Sequence, residues 1–507
     1  MPPLQTESPA STGAAVAVTS PAGASPAGTG TDDRTAASAP PPNAPRAKAP
    51  PFKVTFLGLM LAVVVSSLDQ NIVAVALPRI ADELGGIGYI SWTVTAFLLA
   101  STIAAPVYGK LSDMYGRRRL FAVSMLFFLV TSVLCSLAAS MPQLIAARAL
   151  QGLGAGGLVT LSQSAIGDLV GPQQRGRYQG YFSGALATST VLGPLLGGAL
   201  ITGLSWRWIF VVTLPIGLAA LALTRNGLQR APLKKAHRID YAGVILLALG
   251  TSAALLFVNS LEKKTGASPL FAVGSALLAA ACVLLFVRQE RRAEEPLLDP
   301  TLFGNGSFVV AVTAAGMMTF AMQGAMVFLP LYFQAVQGQT PTRSGLMLIA
   351  QIAGMILSSI VGGQLSARSG RFKAFLLAGV TMEMLALATL TLLACLDAPP
   401  PAFSLALALL GLGTGLGMPN AVVIVQNAVD RSALGVATAS MSFLRSLGSS
   451  LGVALSGCVM HFTLVALAGE ARTTLRLAIA SSFGLGAAMM CLALTAIALK
   501  LPTQQRR

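Results

Sequence analysis

Charge is what this sequence has least of. Only 10% of its 507 residues are Asp, Glu, Lys or Arg, where a soluble chain carries about 25%. With 54% hydrophobic residues and a mean hydropathy of +0.73, that shortage excludes an ordinary soluble domain and points to a polytopic membrane protein. Histidine is scarce too: His237 lies in a basic stretch and His461 stands alone near the end of an apolar run, so neither supports a metal site. The five cysteines (Cys135, Cys282, Cys395, Cys458 and Cys491) are scattered, with no C-x-x-C and no metal-ligand spacing, which argues against redox chemistry. The Gly-rich run G-L-G-A-G-G at 152–157 lacks G-K-[ST] and lies within an apolar segment, so nucleotide binding is disfavoured. No catalytic constellation is visible, and the chain is not read as an enzyme. A net charge of +16 would suggest nucleic acid, but its cations follow membrane topology, so no nucleic-acid partner is expected.

What is present is a succession of apolar runs of about 20 residues, each long enough for a bilayer of about 30 Å. They fall near 54–77, 87–109, 119–139, 141–165, 178–203, 206–224, 239–258, 268–287, 307–333, 344–366, 373–394, 402–426, 433–465 and 474–499. An even number of spans puts both termini on one side. With the termini inside, 25 of the 34 Lys and Arg are cytoplasmic, seven are outside and two (Arg148 and Arg445) lie within runs. The bias favours cytoplasmic termini. Residues 1–52 are Ala, Pro, Ser, Thr and Gly with no apolar core of signal-peptide length, and read as a disordered cytoplasmic tail. Residues 501–507 read as a basic cytoplasmic tail.

The organising stretch is the loop between the second and third runs, Gly109–Arg119, reading G-K-L-S-D-M-Y-G-R-R-R. Its cations mark it cytoplasmic, Asp113 can pair with Arg or accept hydrogen bonds, and Gly109 and Gly116 let the backbone turn closely. The loop is echoed by G-Q-L-S-A-R-S-G-R-F-K at 363–373. Likewise G-P-L-L-G-G-A-L at 193–200 returns as G-S-S-L-G-V-A-L at 448–455, and the V-A-L-P ending at Pro78 as the V-F-L-P ending at Pro330. Three echoes at offsets of 252–255 residues indicate two halves repeated in parallel. The echo fails at informative places: Asp113 becomes Ala367, Asp69 aligns with Ala321, and Gly193-Pro194 becomes Gly448-Ser449. Coupling chemistry is therefore expected in the N-terminal half.

The loop pattern G-x-L-x-D-x-x-G-R-R resembles the signature between helices 2 and 3 of the major facilitator superfamily, Met114 standing where the family usually has Arg or Lys. The resemblance implies an all-α polytopic fold of two six-helix bundles (53–224 and 301–500), with Gly109, Asp113, Gly116, Arg117, Arg118 and Arg119 bracing one bundle against the other. Fourteen runs with a central extra pair (225–300) resemble the drug:proton antiporter branch of that family. Its first-helix acidic motif is matched by Asp69 and its helix-4 motif by Arg148 with Gln151 and Gly152, which implies a proton site. The alternatives are a structural ion pair or an N–H acceptor near the outer surface for Asp69, and helix bracing through backbone carbonyls for Arg148. Its helix-5 antiporter motif is matched by Gly184, Gly193, Pro194, Gly197 and Gly198; the alternative is a generic glycine packing face.

Other polar residues deep in apolar runs need a reason, since a mid-bilayer charge costs about 2.5–3.5 kcal/mol. Gln151, Gln323, Glu383 and Arg445 are candidates for a substrate cavity. Glu383 could contact cationic substrates, bind a second proton, or pair with Arg445. Met317, Met318, Met322 and Met326 suit an adaptable cavity, although plain packing has the edge. The resulting expectation is an exporter of hydrophobic or cationic small molecules in the cell (inner) membrane, driven by the proton gradient with no cofactor, and with a periplasmic adaptor protein as a candidate partner. The rivals are a dedicated exporter of one host metabolite such as an antibiotic or siderophore, an uptake system, and a non-transporting sensor.

Overall fold

In hydrocarbon every backbone N–H and C=O must be satisfied within its own segment, so apolar runs of this length become helices. The computed structural model describes residues 52–500 apart from 86–89, 226, 229–239, 261–268, 294–295 and 468–469. The expected tails therefore lie outside the described residues, save Phe52, which opens the first helix.

The helices are α1 (Phe52–Leu84), α2 (Ile90–Tyr115), α3 (Arg117–Ser136), α4 (Met141–Leu169), α5 (Arg175–Gly203), α6 (Trp208–Val211), α7 (Thr213–Thr224), α8 (Tyr241–Ser260), α9 (Pro269–Glu290), α10 (Gly306–Leu331), α11 (Pro341–Ser369), α12 (Phe372–Cys395), α13 (Pro400–Asn427), α14 (Leu434–Ala466) and α15 (Ala471–Lys500). No strand occurs among the described residues. Each of the fourteen apolar runs is helical over most of its described residues, with α6 and α7 together forming the sixth. Among the described residues twelve helices are long and apolar enough to cross a membrane, and two apolar stretches are shorter, Trp208–Thr224 and Tyr241–Ala254. The first of these rises only about 25 Å at 1.5 Å per residue, short of the hydrocarbon thickness.

The cores form along the chain halves. Leu59, Val63, Phe121, Phe128, Leu158 and Phe182 centre one cluster, beside a second around Ile72, Leu144, Trp206 and Phe210. The largest cluster gathers α10, α12, α13 and α15 around Phe308, Leu376, Leu407 and Phe483. α8 and α9 pack together, and α8 also touches α2 and α14. A small cluster of Leu247, Phe286, Leu297 and Leu298 closes on Phe443 of α14.

The sequence echoes have a spatial counterpart. α2 packs on α14, and α11 packs on α5. At the first contact a β-carbon on Gly109 would meet the Gly435 carbonyl oxygen at 2.7 Å; at the second, one on Gly363 would meet the Gly176 carbonyl oxygen at 2.5 Å. Within each half, Gly193 of α5 lies against Asn71 of α1 as Gly448 of α14 lies against Gly316 of α10. Glycines at these echoed positions allow backbone-to-backbone approach.

Candidate functional site

Asp69 is fully buried on α1, and so are Arg148 and Gln151 on α4. The three close a triangle. Arg148 Nη1 donates to Asp69 Oδ2 at 2.5 Å and to Gln151 Oε1 at 2.7 Å, while Gln151 Nε2 donates to Asp69 Oδ1 at 3.1 Å. Both carboxylate oxygens are thus satisfied, which is what a buried charge requires. The Arg148 guanidinium also stacks on the Phe97 ring of α2, 4.0 Å from its centroid. Arg148 and Gln151 are three positions apart, so they share one helix face and reach one target. Gly152 and Gly156 let α4 approach α2: a β-carbon there would meet the Phe97 and Ser101 carbonyl oxygens at 2.3 and 2.2 Å.

The network continues through residues that sequence reasoning missed. Gln151 Nε2 also donates to Ser132 Oγ at 3.2 Å, and Cys135 Sγ donates to Gln151 Oε1 at 3.4 Å. Ser132 Oγ and Thr213 Oγ1 both donate to the Phe210 carbonyl, beside the break between α6 and α7. Asp69 is therefore linked through α4 and α3 to the interrupted sixth run. Gln151, one of the cavity-lining candidates, hydrogen-bonds Asp69. Serine and threonine in apolar runs gave no sequence signal of this role, because their usual bond is to their own helix.

A second polar assembly closes the end of the bundle that carries Gly116. Asp113 Oδ1 accepts from the Gly435 N–H at 3.1 Å and Oδ2 from the Val436 N–H at 2.9 Å. These are unpaired donors at the start of α14, where a carboxylate is also favoured by the helix dipole. Arg117 donates to Asp113 at 3.1 Å and pairs with Asp168 at the end of α4. Gly116 has φ +90°, which suits its place between α2 and α3. Arg118 is half-buried and Arg119 exposed. Around this core Arg175 donates to the Gly167 and Gln426 carbonyls at 3.1 and 2.6 Å, and to Asn427 Oδ1 at 2.7 Å. Gln179 Nε2 reaches Gln426 Oε1 at 3.2 Å, and Gln426 Nε2 reaches the Gln163 carbonyl at 3.1 Å. Asp168, Arg175, Gln163, Gln179 and Gln426 carry no motif of their own. The available signal was a set of amides and charges at the ends of otherwise apolar runs.

The helix-5 glycines divide. At Gly193 a β-carbon would sit 2.4 Å from Asn71 Cβ, and at Gly197 3.3 Å from Ile72. At Gly184 it would meet Ile360 at an ordinary 3.4 Å, and at Gly198 nothing within 4 Å. Pro194 lies inside an α5 that stays helical through it. The motif is thus a close α1–α5 seam centred on Gly193, alongside the Asp69 turn.

The remaining candidates are not brought together. Glu383 is fully buried on α12 with both oxygens lacking hydrogen-bond partners, and no ion pair joins it to Arg445 among the described residues. Arg445 is half-buried on α14 with an unpartnered Nε, and Gln323 is half-buried on α10. Met318 is fully buried and packs on Gly417, while Met317 and Met326 border the same core.

The Major Facilitator Superfamily profile matches residues 59–453, and again 308–507. An uncharacterised MFS-type transporter of Mycobacterium tuberculosis is 38% identical over 424 residues, 83% of this chain and 61% of the relative. The chain thus spans about three-fifths of that relative's length. The multidrug transporter protein MdtP of Bacillus subtilis is 34% identical over 404 residues, 80% of this chain and 74% of that protein. Among solved structures, the proton:xylose symporter XylE superposes with a TM-score of 0.65 at 15% identity, covering 89% of this chain and 96% of the other, a likeness of fold alone. Helical architecture, inter-half seams and family match agree, and the chain belongs to the Major Facilitator Superfamily.

Proposed function

We propose that the chain is a proton-coupled exporter of hydrophobic and cationic compounds, of the fourteen-helix drug:proton antiporter kind, with Asp69 as its proton-binding carboxyl. The observation that carries this reading is the closed triangle of Asp69, Arg148 and Gln151, fully buried in the N-terminal half. The similarity to MdtP and the Gly193–Asn71 seam support export. The Lys and Arg distribution supports a cell-membrane protein with cytoplasmic termini, which makes the Gly116 end cytoplasmic. The chain is then captured closed toward the cytoplasm.

The triangle suggests how coupling works. Arg148 and a proton compete for the same carboxylate. While Asp69 is ionised, Arg148 and Gln151 hold α1 against α4. Protonation cancels the charge attraction and releases that hold. Gly193 packs on Asn71, two residues beyond Asp69 on the same helix, so a shift of α1 on release is felt at the α1–α5 seam. A substrate that binds better to one arrangement shifts proton occupancy, and the proton shifts substrate affinity by the same factor. Arg148 biases the carboxylate without itself carrying the proton.

The test is Asp69→Asn, which removes titration but keeps size and much of the hydrogen bonding. In an efflux-deficient bacterium the wild type should lower drug and dye accumulation, and a protonophore should abolish the effect. Asp69→Asn should still bind substrate yet fail to concentrate it outward. Proton-coupled efflux by this variant at the wild-type rate would falsify the assignment.

A further inference from the structure

Glu383 is buried to 0% exposure near the middle of α12, and among the described residues neither of its carboxyl oxygens has a partner at hydrogen-bond geometry. Its backbone lies directly on α13: a β-carbon on Gly413 would come 2.6 Å from the Glu383 nitrogen. One turn away Gly379 meets Gly413 and Gly417, and Gly417 receives the Met318 side chain from α10. The acid therefore sits in a tight seam of small and apolar residues. Such an orphaned polar group requires an explanation.

Among the described residues no counter-charge supplies one. The helices packed on α12 are α10, α11, α13 and α15. α10 and α13 contain no charged residue at all. α11 carries Arg343 and Arg368 near its two ends. α15 carries Lys500 at its last position and Arg472 and Arg476 in its first turns, where both pair with Asp397. Thr414 lies beside Glu383, but its hydroxyl donates to the Leu410 carbonyl at 2.9 Å. That one hydroxyl, shared with the Leu410 carbonyl, is the polar side chain beside the carboxyl. Among the described residues an ionised carboxylate here would have that one hydroxyl and no counter-charge, whereas a protonated one has an O–H to give.

Packing does not call for an acid either. At the echo offset of 254 residues, the position matching Glu383 is Leu129 of α3. Leucine fills that place in the N-terminal half and is buried there.

We propose that Glu383 is a second proton-binding carboxyl, seated between α12 and α13, that holds its proton while this seam is closed and exchanges it when the seam parts. What the proton is used for rests on the proton-coupled reading above; that it binds does not.

The binding is tested without transport. The full-length protein in detergent is treated with dicyclohexylcarbodiimide, an apolar reagent. A carboxylic O–H adds across its C=N bond and the adduct rearranges to a stable N-acylurea, so the whole reagent is retained and nothing leaves. Peptide mass mapping should place one reagent on Glu383 in the wild type and in Asp69→Asn, and none at that position in Glu383→Gln. A water-soluble carbodiimide should leave Glu383 unmodified. Absence of the apolar adduct from Glu383 in the wild type overturns the proposal, whether or not the variants fold. In proteoliposomes, Glu383→Gln should halve the protons moved per substrate. An unchanged proton count overturns the coupling role, and if cationic substrates alone are lost at that unchanged count, Glu383 is a substrate counter-charge instead. Failure of the Asp69 reading is distinguishable: Asp69→Asn would then concentrate substrate normally while Glu383 is still labelled.

Discussion

Gly193 on α5 lies against Asn71 on α1 so closely that a β-carbon at 193 would fall 2.4 Å from the Asn71 β-carbon, just past Asp69. Asn71 in turn is fastened to its own helix by a 2.7 Å bond from Nδ2 to the Ser67 carbonyl, so its turn of α1 is held in place. A side chain at 193 must therefore displace a backbone, with overpacking of about 1–3 kcal/mol.

The first prediction follows from that contact. Gly193→Leu should insert in the membrane and lose transport, because α1 is pushed off α5 at the Asp69 turn. Gly198→Ala should transport normally, since nothing lies within 4 Å of its β-carbon position. Measured efflux normalised to membrane abundance separates the two. Equal activity of both variants would reduce the motif to lipid-facing sequence.

A second prediction concerns Arg148. Arg148→Ala leaves a buried Asp69 paired only with Gln151, and breaking one side of a buried pair costs roughly 3–5 kcal/mol. Thermal unfolding in detergent should show that loss, and Asp69→Asn combined with Arg148→Ala should be less destabilised than Arg148→Ala alone. If the two changes simply add, the residues do not act as a pair. Arg148→Lys should retain charge but lose activity, because an ammonium cannot serve Asp69 and Gln151 while stacking on Phe97.

Asp113 leads to a third. Asp113→Ala removes the cap on the first N–H groups of α14, worth about 1 kcal/mol, and one partner of Arg117. The closed end should open more often. A cysteine placed at Gln179, fully buried beside Gln426, should react faster with a thiol reagent in the Asp113→Ala background than alone. No change in that rate would mean that the Arg175 and Gln426 bonds close this end unaided.

Topology is the fourth. In intact cells expressing a cysteine-free background, a cysteine at Lys264 should be labelled from outside and one at Lys235 should be protected. The opposite pattern would invert the orientation argued from Lys and Arg placement.

Much of the architecture was legible because the bilayer leaves a chain few options. Long apolar runs must be helical, so the fourteen runs located α1 to α15 within a few residues, and echoes such as Gly109 with Gly363 announced which seams would be built alike. Motif positions were legible too: Asp69 and Arg148 were singled out because a charge in an apolar run needs a reason. Their partnership was not. Residues 79 positions apart meet only after α1 and α4 pack, and neither helix encodes the other's rotation about its axis.

The same physics explains what the sequence alone settled and what it left to the fold. Composition and hydropathy are summed along the chain, so they determined the membrane setting, the helices and the isolated charges that had to be functional or paired. Hydrogen bonding and close contact are decided between segments. Only the tertiary structure showed that Gln151 serves Asp69, that Asp113 caps α14, that Gly193 but not Gly198 needs to be glycine, and that Glu383 has no partner while Asp69 has two.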